Sequence, residues 1–285
     1  MNGKGDKWRG GWTPKYAENH NRIFGRKKMK KVFIFDVDGT LTPSRRKMTP
    51  KFEKFFSKWA EENTFYLVSG SDLEKMKEQV PEYILTLAGG VFTCGGNQFW
   101  KEGPTQQWPS DWKLIYENKF ELPKHLEDFL NIMLVNSEYP HRYGNHIENR
   151  GAMVNFSIVG RDCTLEQRLD YFEYDKKTKE RQKIADIIKS KVKGIDAVIG
   201  GQISIDIAPV GNDKSQVLKH IEEIENFNCP DEYIFIGDRT MEGGNDYPLA
   251  LLMDNTRNCN FYQAGEPSAE DGYKSTQKIL ESLID

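Results

Sequence analysis

One short segment constrains this chain more than any other. Behind Lys31, Val32-Phe-Ile-Phe35 is apolar at every position, and it runs straight into Asp36-Val-Asp-Gly-Thr-Leu-Thr42. A strand without polar alternation must be covered on both faces, which points to the centre of a parallel sheet clad by helices. Such sheets bind ligands at the C-terminal ends of their strands, where Asp36 and Asp38 fall. Residues two apart in an extended chain point the same way, so both carboxylates are expected to aim at one spot, with Val37 turned into the core. Two adjacent carboxylates repel each other. A hard divalent cation such as Mg²⁺, bound through carboxylates and phosphate oxygens, removes that conflict. Gly39 lets the backbone turn close to a ligand.

The segments that follow repeat the strand and helix pattern. Thr49 and Pro50 are expected at the N-cap and first position of a helix. Phe52, Phe55, Phe56 and Trp59 then make one apolar stripe. Phe65-Tyr-Leu-Val68 reads as a second buried strand. Ser71 and Glu74 have capping-box spacing for another helix, and Tyr83 to Phe92 reads as a third strand region. The β-α-β-α-β order predicts an α/β fold with a parallel sheet.

The middle of the chain changes character. Residues 104–112 form an expected loop, and Leu122, Leu126, Phe129, Leu130, Met133 and Leu134 mark an amphipathic helix. Residues 152–159 alternate like an antiparallel strand with one covered face, and a charged helical stretch spans 164–193. In Gln202 to Ile207, Gln202, Ser204 and Asp206 share one face, with Ile203, Ile205 and Ile207 on the other. An α+β domain with an antiparallel sheet is therefore expected at residues 98–207, inserted into a core formed by 31–97 and 208–285. After it the first pattern resumes: Asp213 caps a helix, Tyr233-Ile-Phe-Ile236 is a buried strand leading to Gly237-Asp238, and Gly243-Gly-Asn-Asp246 is a Gly-rich loop. A terminal helix is expected from Ser275 to Ile284.

Charge is unevenly distributed. Residues 1–31 hold ten Lys/Arg and two Asp/Glu, leaving 30 Lys/Arg against 41 Asp/Glu in the remainder. Residues 1–30 are expected to be a flexible basic tail. An acidic body binds nucleic acid poorly, so any such contact would rest on the tail. No apolar run approaches the ~20 residues of a membrane span, and the polar N-terminus is not a secretory signal. Four scattered cysteines without a C-x-x-C pair suggest reduced thiols in a cytoplasmic compartment.

The chemistry-bearing residues occur in a telling order: Asp36 and Asp38, Ser69 after the second strand, Lys214 at a helix start, then Asp238 and Asp246. A carboxylate nucleophile can form an aspartyl-phosphate. A metal ion and a lysine offset charge on the transferring phosphoryl group. A second carboxylic acid can protonate the leaving hydroxyl. The apolar strand followed by D-x-D-G-T is the signature of the haloacid dehalogenase (HAD) superfamily. The stretches FDVDGTLTPSRRKM, VSGSDLEKM, HIENRGAMVNFSIVGRDC, EQRLDYFEYDKK, IGGQISIDIAP, DKSQVLKHIE and IGDRTMEGGND resemble the eukaryotic-type phosphomannomutases.

That resemblance implies a HAD core with an α+β cap. It implies an enzyme interconverting mannose 1-phosphate and mannose 6-phosphate, with Mg²⁺ and a hexose 1,6-bisphosphate activator. It further implies a cytoplasmic homodimer formed through the cap and a place in GDP-mannose biosynthesis. Asp36 matches the nucleophile and Asp38 the acid/base, while Ser69 and Lys214 complete the catalytic set. Asp36, Asp38 and Asp238 match the metal carboxylates. Arg45, Arg150 and Arg161 match substrate arginines, and Ser204 and Asp206 match residues that contact sugar hydroxyls. A further cap arginine of the family falls at Tyr143, with Arg142 beside it as the expected substitute. The family's Glu-Asn-Gly is Cys94-Gly95-Gly96 here, and the stretch after Asp246 diverges. A phosphatase on the same scaffold is the alternative activity, needing only that water reach the intermediate. A binding module acting through the tail is the alternative outside enzymes.

Overall fold

In the computed structural model the described residues are 29–103, 111–225, 230–267 and 270–283. Most of the basic tail and of the expected loop at 104–112 lies outside them. The core sheet contains β1 (Lys31–Asp36), β2 (Thr64–Val68), β3 (Val91–Thr93), β4 (Gln98–Glu102), β5 (Trp112–Glu117), β10 (Glu232–Gly237) and β11 (Cys259–Gln263). Their order is β11-β10-β1-β2-β3-β4-β5. The first five in that order run parallel, and β4 and β5 are added antiparallel.

The all-apolar β1 is central, as the absence of alternation requires. Phe33 and Phe35 face a layer built from α1 (Pro50–Glu62), α2 (Leu73–Gln79), α3 (Glu82–Leu87) and α9 (Gly272–Ser282). Val32 and Ile34 face the opposite layer, made by α7 (Gln216–Glu225) and α8 (Tyr247–Asp254). The α1 stripe packs edge-on against β1, with Phe35 ring centroids 5.3 Å from Phe56 and 5.4 Å from Trp59.

Local expectations and structure differ at four places. The Tyr83–Phe92 region is mostly α3, not strand. Ile84 and Leu85 are buried while Tyr83 and Leu87 are exposed, a one-sided helical pattern that apolar content alone does not distinguish from a strand. The N-cap of α2 is Asp72, whose carboxylate accepts from Lys75 N at 2.8 Å, leaving Ser71 free for another role. Thr49 occupies the expected N-cap with Pro50 behind it, but its hydroxyl makes no capping bond. Finally, Gln98–Glu102 and Trp112–Glu117, assigned to the inserted domain from sequence, extend the core sheet as β4 and β5. Cys94-Gly95-Gly96 turns the chain back on itself at φ of 51°, 68° and 90°, a reversal two glycines make accessible.

The inserted unit carries β6 (Ile147–Asn149), β7 (Val154–Phe156), β8 (Ile195–Gly200) and β9 (Ser204–Pro209), ordered β6-β7-β9-β8 and antiparallel throughout. Helices α4 (Lys124–Asn136), α5 (Leu165–Thr178) and α6 (Glu180–Lys191) belong to its apolar layer, which includes Leu130, Tyr171, Ile188, Phe156, Ile205 and Ile207. The charged helical stretch expected at 164–193 is divided into α5 and α6 at Lys179, which is left-handed at φ 57°. Among the described residues, no helix is long and apolar enough to cross a membrane.

Candidate active site

β1 delivers Asp36 to the C-terminal edge of the core sheet, and the neighbouring β10 delivers Asp238 immediately after Gly237. The Gly-rich loop brings Asp246 beside them. Carboxylate oxygens of these three buried residues lie within 4.8 Å of one another. Lys214 Nζ donates to Asp36 Oδ1 and Asp246 Oδ1, each at 2.5 Å. Asp246 Oδ2 accepts from Arg239 N at 2.9 Å. Burial pushes the Asp36 carboxyl well above the usual range, Asp246 and Asp238 push the same way, and Lys214 opposes them. Burial would lower the Lys214 ammonium, but Asp246 and Asp36 outweigh it and hold it above the ordinary lysine value. Three buried, convergent, hard oxygen donors, two of which raise the proton affinity of Asp36, fit a small divalent cation. Gly39 permits their approach: its φ is +85°, and a Cβ there would lie 2.5 Å from Asp238 Oδ2.

Asp38 is placed differently from the sequence expectation. Its carboxylate is not in the cluster, and Asp246 takes the third position instead. The extended geometry ends at Asp36, because Thr40, Leu41 and Thr42 all turn back to donate to Val37 O. The two-residue alternation therefore does not carry through to Asp38. Its Oδ1 accepts from Arg45 N at 2.6 Å and Gln79 Nε2 at 2.8 Å, and the residue lines the adjoining cavity.

That cavity, an open cleft of about 540 Å³ including its mouth, lies between the core strand ends and the polar face of the inserted sheet. Asp36, Asp38, Asp238 and Arg45 line it from the core; Arg150, Ser204 and Asp206 line it from the inserted unit. The alternation of β9 explains the last two, since Ile205 and Ile207 go into the apolar layer behind. Burial raises the Asp206 carboxyl, against the pull of Arg150 and a 2.6 Å bond from Asn155 Nδ2. Arg161 donates to Ser204 Oγ at 2.8 Å. The two units meet across the cavity where Arg150 Nη1 donates to Gly70 O at 2.5 Å and Ile199 N to Gly243 O at 3.3 Å.

Ser69, Arg142 and Arg161, all expected at the site, do not line the cavity. Ser69 is buried with its Oγ accepting from Ser71 N at 3.0 Å, and of these two serines Ser71 lines the cavity. Arg142 is remote from it: its guanidinium donates to the carbonyls of Leu134, Ser137, Tyr139 and His141 and closes the C-terminus of α4. Arg168 on α5, 4% exposed, joins Arg150 in lining the cavity from the inserted unit, and sequence reasoning missed it. A signal existed. Arg168, Tyr171 and Asp175, at i, i+3 and i+7, are the buried face of a helix whose leucines, Leu165 and Leu169, are exposed. Asn155 and Asn245 also line the cavity and were not anticipated, and Gln202 joins them from the face it shares with Ser204 and Asp206.

With this geometry in hand, comparison with known proteins is direct. The family model described as eukaryotic phosphomannomutase matches residues 52–281. The chain belongs to that family. A phosphomannomutase from Encephalitozoon cuniculi (strain GB-M1) is 38% identical over 258 residues, 89% of this chain and 95% of that protein. Phosphomannomutases from Drosophila melanogaster and Spinacia oleracea are 37% and 36% identical, each over 76% of this chain and 85% of theirs. Solved structures place the family fold more broadly. The IMP-nucleotidase of Plasmodium falciparum, with IMP bound, matches at a TM-score of 0.57 and 16% identity, over 95% of this chain and 72% of that one. A HAD superfamily phosphatase from Bacteroides thetaiotaomicron matches at 0.52 and 15% identity, over 90% and 97%. At such identities they establish the HAD-type α/β fold of this phosphomannomutase family member and nothing about its substrate.

Proposed function

We propose that this chain is a phosphomannomutase that moves a phosphoryl group between the 1- and 6-positions of mannose through an aspartyl-phosphate on Asp36. The observation that carries the reading is a single cavity with two unlike ends. One holds Asp36 and the carboxylate cluster; the other holds Arg150, Arg168 and the polar edge of β9. A hexose monophosphate anchored by arginines at one phosphate presents its opposite hydroxyl to Asp36. Arg suits this because its planar fork pairs bidentately with phosphate oxygens.

In the first half-reaction an Asp36 oxygen bonds to phosphorus while the phosphorus–oxygen bond of a hexose 1,6-bisphosphate breaks, and Asp38 supplies the proton to the leaving sugar oxygen. In the second, Asp38 takes the proton from the hydroxyl of a bound monophosphate, and that oxygen displaces Asp36 from phosphorus. Lys214 holds the nucleophile in place, and Ser71, which lines the cavity, supplies a hydroxyl to a phosphoryl oxygen. Asp36, Asp238 and Asp246 would hold Mg²⁺, which when bound supplies charge neutralisation for the transferring group. The inserted unit, acting as a cap, must exclude water, or the intermediate hydrolyses. A cap-mediated homodimer is supported by Ile132 and Val135, exposed apolar residues on α4. Cytoplasmic action and supply of mannose 1-phosphate for GDP-mannose belong to the same reading.

The test is product analysis from α-mannose 1-phosphate with Mg²⁺ and a trace of glucose 1,6-bisphosphate, beside an Asp36→Asn control. Mannose 6-phosphate without free phosphate, absent in the control, is expected. Free phosphate as the main product would make the chain a phosphatase.

A further inference from the structure

Arg45 from the core and Arg150 and Arg168 from the cap line the cavity, and Arg161 lies beside them, near enough to feel the charges of Arg45 and Arg150. Burial, then the charges of Arg45 and Arg150, push Arg161 down to about 9, and burial with Arg45 pushes Arg168 down to about 10. Among the described residues, one carboxylate is ion-paired with any of the four. Glu148 Oε2 accepts a hydrogen bond from Arg150 Nη2 at 2.8 Å and forms an ion pair with Arg161 Nε at 3.0 Å, so one oxygen joins both side chains. Arg150 and Arg161 attract the Glu148 carboxyl proton affinity downward despite its partial burial, with Arg45 adding to them.

Sheet register sets this oxygen's place. Glu148 on β6 is opposite Asn155 on β7, which is opposite Asp206 on β9. Directly opposite residues share a face, so the three form a row across the cavity side of the cap sheet. Asn155 bonds to Asp206 at 2.6 Å, which steadies the far end. One further donor of each arginine is engaged: Arg161 Nη1 reaches Ser204 Oγ, and Arg150 Nη1 reaches the Gly70 carbonyl of the core, while Arg150 Nε has no hydrogen-bond partner among the described residues. An acceptor shared by two like-charged groups both screens their repulsion and fixes their relative orientation.

We propose that Glu148 is a positioning residue for the phosphate that is not being transferred, tying Arg150 and Arg161 into one clamp so that their free N–H edges converge on that phosphate. The proposal rests on the reading that these arginines bind a phosphate group. It assigns Glu148 a favourable effect on binding even though its own charge repels the ligand, because an unclamped pair of guanidiniums must pay the ordering cost when the phosphate arrives.

Glu148→Gln keeps the shape and an acceptor oxygen but removes the charge. Isothermal calorimetry should show mannose 6-phosphate and inorganic phosphate bound about tenfold more weakly, equivalent to about 1.4 kcal/mol. In steady state, KM for the monophosphate should rise by a similar factor while kcat changes less than about twofold, since uniform binding is lost. Glu148→Asp, with the charge on a shorter arm, should recover part of the affinity. Thermal unfolding of each variant separates loss of the clamp from loss of the fold. Equal or tighter binding by Glu148→Gln, a fall in kcat with unchanged KM, or no recovery in Glu148→Asp would overturn the proposal. A wild-type protein that binds both anions but does not isomerise mannose 1-phosphate would sink the mutase reading and leave the clamp to be judged on phosphate affinity. Wild-type protein that binds neither anion would overturn both.

Discussion

Replacing Lys214 by methionine removes a buried ammonium while nearly keeping the length of the side chain. Lys214 is 2% exposed, and its Nζ lies 2.5 Å from both Asp36 and Asp246. Removing one partner of a buried ion pair costs about 3–5 kcal/mol, and here two carboxylates lose the same partner. The cost has a ceiling, because a stranded carboxylate can take up a proton, at about 1.4 kcal/mol for each unit by which its pKa must exceed the solution pH. Asp36 is already raised by burial and by Asp246, so it is the group positioned to do so. The sign then follows. A carboxyl whose folded pKa lies above its unfolded value binds more protons when folded, so its stability contribution falls as pH rises through that window. In EDTA the variant should be about 3–5 kcal/mol less stable than wild type near pH 7.5 and closer to it near pH 5. Mg²⁺ should stabilise the variant more than the wild type, because a cluster without its lysine gains more from a cation. Urea unfolding followed by tryptophan fluorescence, reported by the buried Trp59, measures each difference. A variant as stable as wild type in EDTA, or a deficit that grows toward acid, would refute the reasoning.

Arg168→Ala should raise KM for the hexose monophosphate at least tenfold, whereas Arg142→Ala should leave KM near the wild-type value and lower thermal stability by about 1–2 kcal/mol through loss of bonds to the end of α4; steady-state kinetics with thermal shifts separates the two. Gly39→Ala forces a left-handed residue and sets a methyl against Asp238, so calorimetric Mg²⁺ affinity should fall well before the fold is lost. Burial pushes the Cys94 thiol up to about 12, so iodoacetamide near pH 8 should label it only after denaturation, as peptide mass mapping would reveal.

Much of this molecule is legible along the chain because its signals are local. A strand apolar at every position has to be central, and β1 is, with Phe33 and Phe35 on one side and Val32 and Ile34 on the other. The alternation from Gln202 to Ile207 placed Ser204 and Asp206 on the cavity face before any cap was visible. Signals failed where two segments compete for one role. Arg142 and Arg168 are both arginines of the cap, and nearness to an expected position favoured the first. Only packing shows that Arg142 is consumed by carbonyls of its own neighbourhood while α5 turns Arg168 inward.

The catalytic edge divides in the same way. Asp36, Asp238 and Lys214 are readable because each follows a strand or opens a helix at the edge where parallel sheets bind ligands. The choice between Asp38 and Asp246 as the third member of the cluster is not readable, since it depends on a turn. Val37 O collects three backbone donors, the chain leaves its extended path, and the Asp38 carboxylate goes to Gln79 and Arg45 instead. The boundary of the core sheet is likewise a matter of pairing across distance: β4 and β5 carry no mark of which sheet they join until β3 accepts them. Periodicity reports which face of an element is buried. Only the folded chain reports what that face is buried against, because partners arrive from segments whose separation along the sequence sets no distance in space.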